Sequence, residues 1–242
     1  MGILRTKTIE PATGSTLTLG ASGDTITVSS DSIKTNTFKD AGGNTLFTSD
    51  GAGTLSSVNS ALAPAGPILI STHTASGSSS VDITSGIDST YDEYMFVYTD
   101  INAATDQASF SFQANATDST GYNRTITTTL FQAYHNEADS SAALAYNPGH
   151  DHAQGTAFQI LAGTLGNGSD ESAAGILHLF SPSSTTYIKH FYATTALFNG
   201  DSTRINHTFA AGYINDTTAI DDIRFKMSSG NFDGTIQMYG IK

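Results

Sequence analysis

The chain has no cysteine, and it carries only 10 basic side chains in 242 residues. Without cysteine there are no disulfide staples and no thiolate metal sites. With 10 Lys and Arg against 22 Asp and Glu, the formal charge is −12. That argues against a nucleic-acid partner, which requires clustered cations facing phosphates. No apolar run approaches the roughly 18 residues of a membrane span, so no membrane insertion is expected. The start, Met1-Gly2-Ile3-Leu4-Arg5-Thr6-Lys7, lacks the apolar stretch of a signal peptide, and export by the general secretory route is not expected. The Ala/Glu/Lys/Leu-rich mix of a helical protein is also missing.

In its place stand 29 Ser, 35 Thr and 23 Gly, a composition that favours strands and turns. Its distribution divides the chain. Residues 1–66 hold four basic and five acidic residues, whereas 67–242 hold six and 17, a net of −11. Of the 23 aromatics only Phe38 and Phe47 fall in the first part. The boundary lies at Ala61-Leu62-Ala63-Pro64-Ala65-Gly66-Pro67, where prolines and small residues predict a linker or pinned turn.

In residues 1–66, Ser15–Leu19 alternates polar and apolar, Gly20–Asp24 turns, and Thr25–Val28 alternates again. A related pattern follows 29 residues later: Thr45–Thr48, a turn through Asp50–Gly53, then Thr54–Val58. Fifteen large apolar residues in 66, among them Leu17, Leu19, Ile26, Val28, Phe47, Leu55 and Val58, give each short strand one apolar edge. So small a segment buries too little surface to offset about 1–2 kcal/mol of backbone entropy per ordered residue. It is expected to fold against copies of itself around a threefold axis, with those seven residues at the contact; a flexible tail is the alternative.

Residues 67–242 predict strands near 67–74, 80–84, 93–102, 107–114, 124–135, 156–163, 173–181, 185–198, 203–214, 220–228 and 232–241, separated by Gly, Ser, Asn and Asp. That spacing describes a two-sheet sandwich. The expected class is all-β: a short N-terminal β-rich segment, then a jelly-roll-like sandwich rather than a closed barrel. Mid-strand Tyr98, Phe110, Phe112, Phe191 and Phe225 are expected in its core.

Catalytic signatures are missing: no G-x-x-x-x-G-K-[ST], H-E-x-x-H, G-x-S-x-G or D-x-D-x-D-G pattern occurs, so neither an enzyme nor a cofactor is expected. His150 and His152 stand i, i+2 and could both reach a metal from an extended chain, with His135 or Asp170 as third ligand; a polar loop after Asn147-Pro148-Gly149 is the plainer reading. Asp88–Glu93 could offer oxygen ligands to calcium or simply turn into the strand that follows. Exposed aromatics are the better cue. Tyr beside Asp and Asn makes a sugar platform, the ring covering the sugar face while polar groups meet hydroxyls. Tyr91, Tyr122, Tyr134 and Tyr146, in or beside loop-like stretches, are the candidates for ligand binding.

Thr16–Val28 (TLTLGASGDTITV) and Phe38–Phe47 (FKDAGGNTLF) resemble segments recurring in virion structural and fibre proteins of tailed bacteriophages, notably those of marine cyanobacteria. Gly86–Tyr94, Ser181–Tyr187 and Gly234–Ile241 are similar to the terminal β-sandwich of such proteins. The resemblance implies an appendage on the surface of the virion, assembled in the host cytoplasm: an N-terminal part docking on other virion proteins and a C-terminal head facing outward. The expected function is a trimeric tail fibre whose head contacts a host-surface polysaccharide. The alternative is a structural role as head fibre, capsid decoration or tail-tip adaptor. A polysaccharide depolymerase is a third class, against which the lack of a long β-helical body speaks.

Overall fold

A computed structural model describes residues 36–52, 55–56, 58–59 and 66–242. The chain separates into two compact units, Met1–Pro64 and Ala65–Lys242. All regular structure among the described residues is β. Leu17, Leu19, Ile26 and Val28 lie outside those residues.

The first unit holds a three-stranded antiparallel sheet: β1 (Thr37–Lys39), β2 (Thr45–Ser49) and β3 (Leu55–Ser56). Phe38 and Phe47 stand opposite each other with ring centroids 4.6 Å apart. The β1–β2 turn closes on Asp40, whose carboxylate accepts the Asn44 backbone N–H at 2.8 Å, while Gly43 takes φ 84°, a conformation glycine adopts without steric cost. The hydrogen bonds from Asn44 hold the Asp40 carboxyl below its ordinary pKa. Leu55 and Val58 are exposed.

The second unit contains β4 (Ile68–Ser78), β5 (Ser80–Ile83), β6 (Glu93–Ala103), β7 (Ala108–Ala116), β8 (Ile126–Asn136), β9 (Ala142–Tyr146), β10 (Gln159–Leu165), β11 (Ala173–Phe180), β12 (Lys189–Asn199), β13 (Arg204–Ile214), β14 (Ile220–Met227) and β15 (Phe232–Ile241). Eight of them make a jelly roll, with sheet orders β4-β15-β6-β11 and β5-β14-β7-β10. The other four are two antiparallel pairs inserted in the chain. β8–β9 falls between β7 and β10, and β12–β13 between β11 and β14. β12–β13 joins the free edge of β11 and β8–β9 joins β13 in turn, extending the first sheet to β4-β15-β6-β11-β12-β13-β8-β9. A single bridge, Leu165 to Asn199, links it to the four-stranded sheet at β10. Eleven of the twelve strands coincide with predicted ones. β9 escaped prediction because Ala142–Tyr146 is exposed at every position and so has no alternation.

The core follows the pleat, in which alternate side chains turn to one face. β12 shows it plainly: Lys189, Phe191, Ala193, Thr195, Leu197 and Asn199 are buried, while the residues between them are not. Phe225 packs against Phe96, Phe110 and Phe112 at centroid separations of 5.7, 5.8 and 6.4 Å, and Phe112 meets Phe191 edge-on at 5.0 Å. Each such ring contributes roughly 1.5–3 kcal/mol through burial. All five aromatics expected in the core are buried.

β7 departs from the alternation. Almost all of Ala108–Ala116 is buried, although every second residue is Ser, Gln or Asn. Gln113 explains how: its Nε2 donates to the carbonyls of Arg124, Thr156 and Ala157 at 3.1, 3.3 and 3.1 Å, so these neighbouring segments cover the outer face of the strand and satisfy its polar groups. Lys189 is buried on similar terms, its Nζ donating to the carbonyls of Asp216 at 3.0 Å and Thr218 at 2.6 Å. Burial pushes its pKa below that of an ordinary lysine.

On the inner face Tyr98 of β6 crosses Gly175 of β11, and its hydroxyl lies 2.5 Å from Thr195 Oγ1 on β12. A Cβ on Gly175 would overlap both the Tyr98 ring and the Thr194 carbonyl. Substituting Gly175→Val should therefore destabilise the second unit by about 1–3 kcal/mol, as overpacking does. Chemical denaturation of the variant against the parent chain measures this directly.

Candidate functional site

The four tyrosines do not form one site. Tyr91 packs over Gly240 and meets Tyr94 edge-on at 5.8 Å, with Lys242 Nζ 5.8 Å from its centroid. Asp88, in the turn before it, accepts hydrogen bonds from Thr90 N at 2.7 Å and from the Tyr94 hydroxyl at 3.1 Å; this carboxylate ties the turn to β6. Tyr122 lies beneath the Arg224 guanidinium at 4.2 Å. Tyr134 lies near the end of β8, on the side of its buried residues, with Arg204 4.4 Å over its ring. Tyr146 lies in β9, paired with Phe131 on the opposite face of the sheet, and its hydroxyl donates to Asp151.

His150 and His152 are part of the segment that follows β9. His150 packs on Gly163, with Nδ1 3.1 Å from Asn147 Nδ2; His152 packs on Gly155, with Nε2 3.3 Å from the Phe158 carbonyl. His135 pairs with Asp139 at 3.1 Å. Among the described residues no three His, Asp or Glu side chains gather to hold a metal.

The topology assembles something else. Nine large apolar side chains are well exposed among the described residues, and five of them (Phe131, Leu144, Tyr146, Tyr192 and Ile205) share the outer face of β12-β13-β8-β9. The register arranges this face in cross-strand rows: Ile176–Thr194–Phe209–Phe131–Tyr146, beside His178–Tyr192–Ala211–Thr129, beside His190–Tyr213–Thr127. Phe131 and Phe209 stack at 4.8 Å and 12°. His207 lies 4.2 Å from Phe209 by ring centroid, and its Nε2 is 2.6 Å from Thr194 Oγ1. In the middle row Ala211 and Thr129 are small, and a depression of about 320 Å³ opens above them, lined by Thr129, Phe131, Tyr192, Ala193, Thr194, Phe209, Ala210 and Ala211. No Asp, Glu, Lys or Arg lines it, although the unit around it is strongly acidic.

Of the aromatics on this face, Tyr146 stands out in the sequence, for its loop-like neighbours; Phe131, Phe209 and Tyr192 do not. Each of these three alternates with buried neighbours and so looks like any strand aromatic; only the pairing of β12, β13 and β8 shows that they point together and outward. Comparison of the chain with protein-family models, curated proteins and solved structures finds no match.

Away from this face, Arg224 is held over Tyr122 by Asp82, with Nε 2.6 Å from Oδ1. The hydrogen bond from Arg224 keeps the Asp82 carboxyl below its usual pKa, against the opposing effect of burial. A carboxyl whose folded pKa is depressed contributes stability above its unfolded value, roughly pH 4, and loses it as the pH falls through the folded value. Asp82→Asn should therefore lower stability at neutral pH by about 1 kcal/mol or less, since both side chains are partly solvated. It should also flatten the loss of stability below about pH 4; urea midpoints across that range test both effects.

Proposed function

We propose that this chain is a virion structural protein of a tailed bacteriophage: a trimeric fibre docked through its N-terminal segment to other virion proteins, with a β-sandwich head that binds host-surface glycan. The observation that carries this reading is the aromatic face on β12-β13-β8-β9, whose central depression no Asp, Glu, Lys or Arg lines although the jelly roll around it is acidic. Aromatic rings with interspersed hydroxyls suit sugars, whose apolar ring faces need cover while their hydroxyls need partners. The similarity of the Thr16–Val28, Phe38–Phe47 and Gly234–Ile241 segments to phage fibre sequences supports the setting. The role is binding, with avidity as its mechanism: three weak sites on one axis engage a repetitive polymer together.

The acidic head must approach a negatively charged envelope, so adsorption should strengthen with magnesium or calcium, which screen that repulsion. Light scattering on a sizing column, applied to the full chain and to residues 67–242, tests the assembly: a trimeric full chain and a monomeric head are expected. Retention of the labelled full chain on marine cyanobacterial cells, with and without divalent cations, tests the contact. Two monomers and no retention would replace this reading with that of a capsid decoration or tail-tip adaptor.

A further inference from the structure

We infer that the free face of Tyr192 is the stacking platform of a saccharide subsite, and that the sugar it takes is uncharged. The inference rests on the glycan-binding reading above and deepens it. Tyr192 stands on β12 between His178 of β11 and Ala211 of β13. On the β11 side its ring stacks on His178 at 4.5 Å and 19°, and His178 is fixed in turn by Glu93 through its Nδ1. On the β13 side the neighbour is a methyl group. The ring is thus braced from behind and open in front, and it remains 44% exposed.

The space before it is the depression over Ala211 and Thr129, walled by Phe209 and Phe131. Its volume of about 320 Å³ falls at the small end of ligand sites, roughly 300–1,000 Å³, a size suited to one or two sugar rings. Thr129, Thr194 and the Tyr192 hydroxyl supply hydrogen-bonding groups at its margin. The charge pattern selects among sugars. With no cationic side chain lining it, a carboxylated or sulfated sugar would lose hydration without gaining a partner, inside a unit of net charge −11. A neutral pyranose avoids that penalty.

The test uses the full chain with neutral glucose, galactose and mannose oligomers and, in parallel, hexuronate oligomers, with affinities measured by calorimetry. Ala211→Phe fills the space before the platform, Tyr192→Ala removes the platform, and Thr72→Phe places a ring on distant β4 as a control. At least one neutral oligomer should bind the parent chain and Thr72→Phe equally, and bind the other two variants about tenfold more weakly, a loss of about 1.4 kcal/mol. Unchanged melting temperatures would confirm that the variants fold. Neutral binding that survives both variants, or binding of hexuronates alone, would overturn the Tyr192 subsite while leaving glycan binding intact. A parent chain that binds none of these oligomers would overturn the subsite and count against the glycan reading. If Ala211→Phe lowers the mass of the chain in light scattering, a second copy covers this face and the subsite is likewise overturned.

Discussion

The second unit depends on a cluster of phenylalanines held between two sheets. Phe225 on β14 touches Phe96, Phe110 and Phe112, which lie on β6 and β7, so one ring couples three strands from both layers. Because successive residues in a strand face opposite ways, filling this interior fixes the direction of every other side chain in the sheets. A slip of one residue in β12 would turn Phe191 and Leu197 to solvent and bring Tyr192 inside. The outer face is therefore rigidly placed by packing it takes no part in.

Polar groups are arranged around that interior without breaking it. Tyr98 spans Gly175 to reach Thr195, tying three strands together from inside. Gln113 and Lys189 are buried, yet each donates to backbone carbonyls of segments that lie outside the strands. Such buried donors hold the segments 119–125, 156–158 and 215–218 to the strands, because leaving a buried polar group unmet costs about 1–3 kcal/mol.

The two inserted strand pairs enlarge one sheet of this scaffold. An eight-stranded jelly roll has four strands in each sheet; here one sheet is doubled, and the added half carries most of the exposed large apolar side chains. The core under the added strands has polar members, Thr128, Asn206 and Thr208, whereas their outward side carries Phe131, Phe209 and Tyr192. An apolar surface on the solvent side of a sheet adds nothing to the core beneath it, and contiguous patches of this kind are characteristic of interaction sites.

Much of this was legible in the chain itself. Alternation in segments such as Lys189–Asn199 and Ile220–Met227 predicts strands and their buried faces, since a period of two reflects the pleat locally. The Asp88 turn and the Asp40–Asn44 turn are likewise local chemistry. β9 was not legible, because a strand exposed on both faces carries no period. Nor was the outer face of β12-β13-β8-β9: the four tyrosines with loop-like neighbours are dispersed by the fold, two of them beneath arginines, and proximity to Asp and Asn in sequence says nothing about facing. The sequence by itself determined the class of fold, the division near residue 65 and the acidic, cysteine-free character of the protein. Tertiary structure alone decided that Tyr192, Ala211, Phe209 and Phe131 adjoin, because strand order and register depend on contacts between residues as many as 88 positions apart.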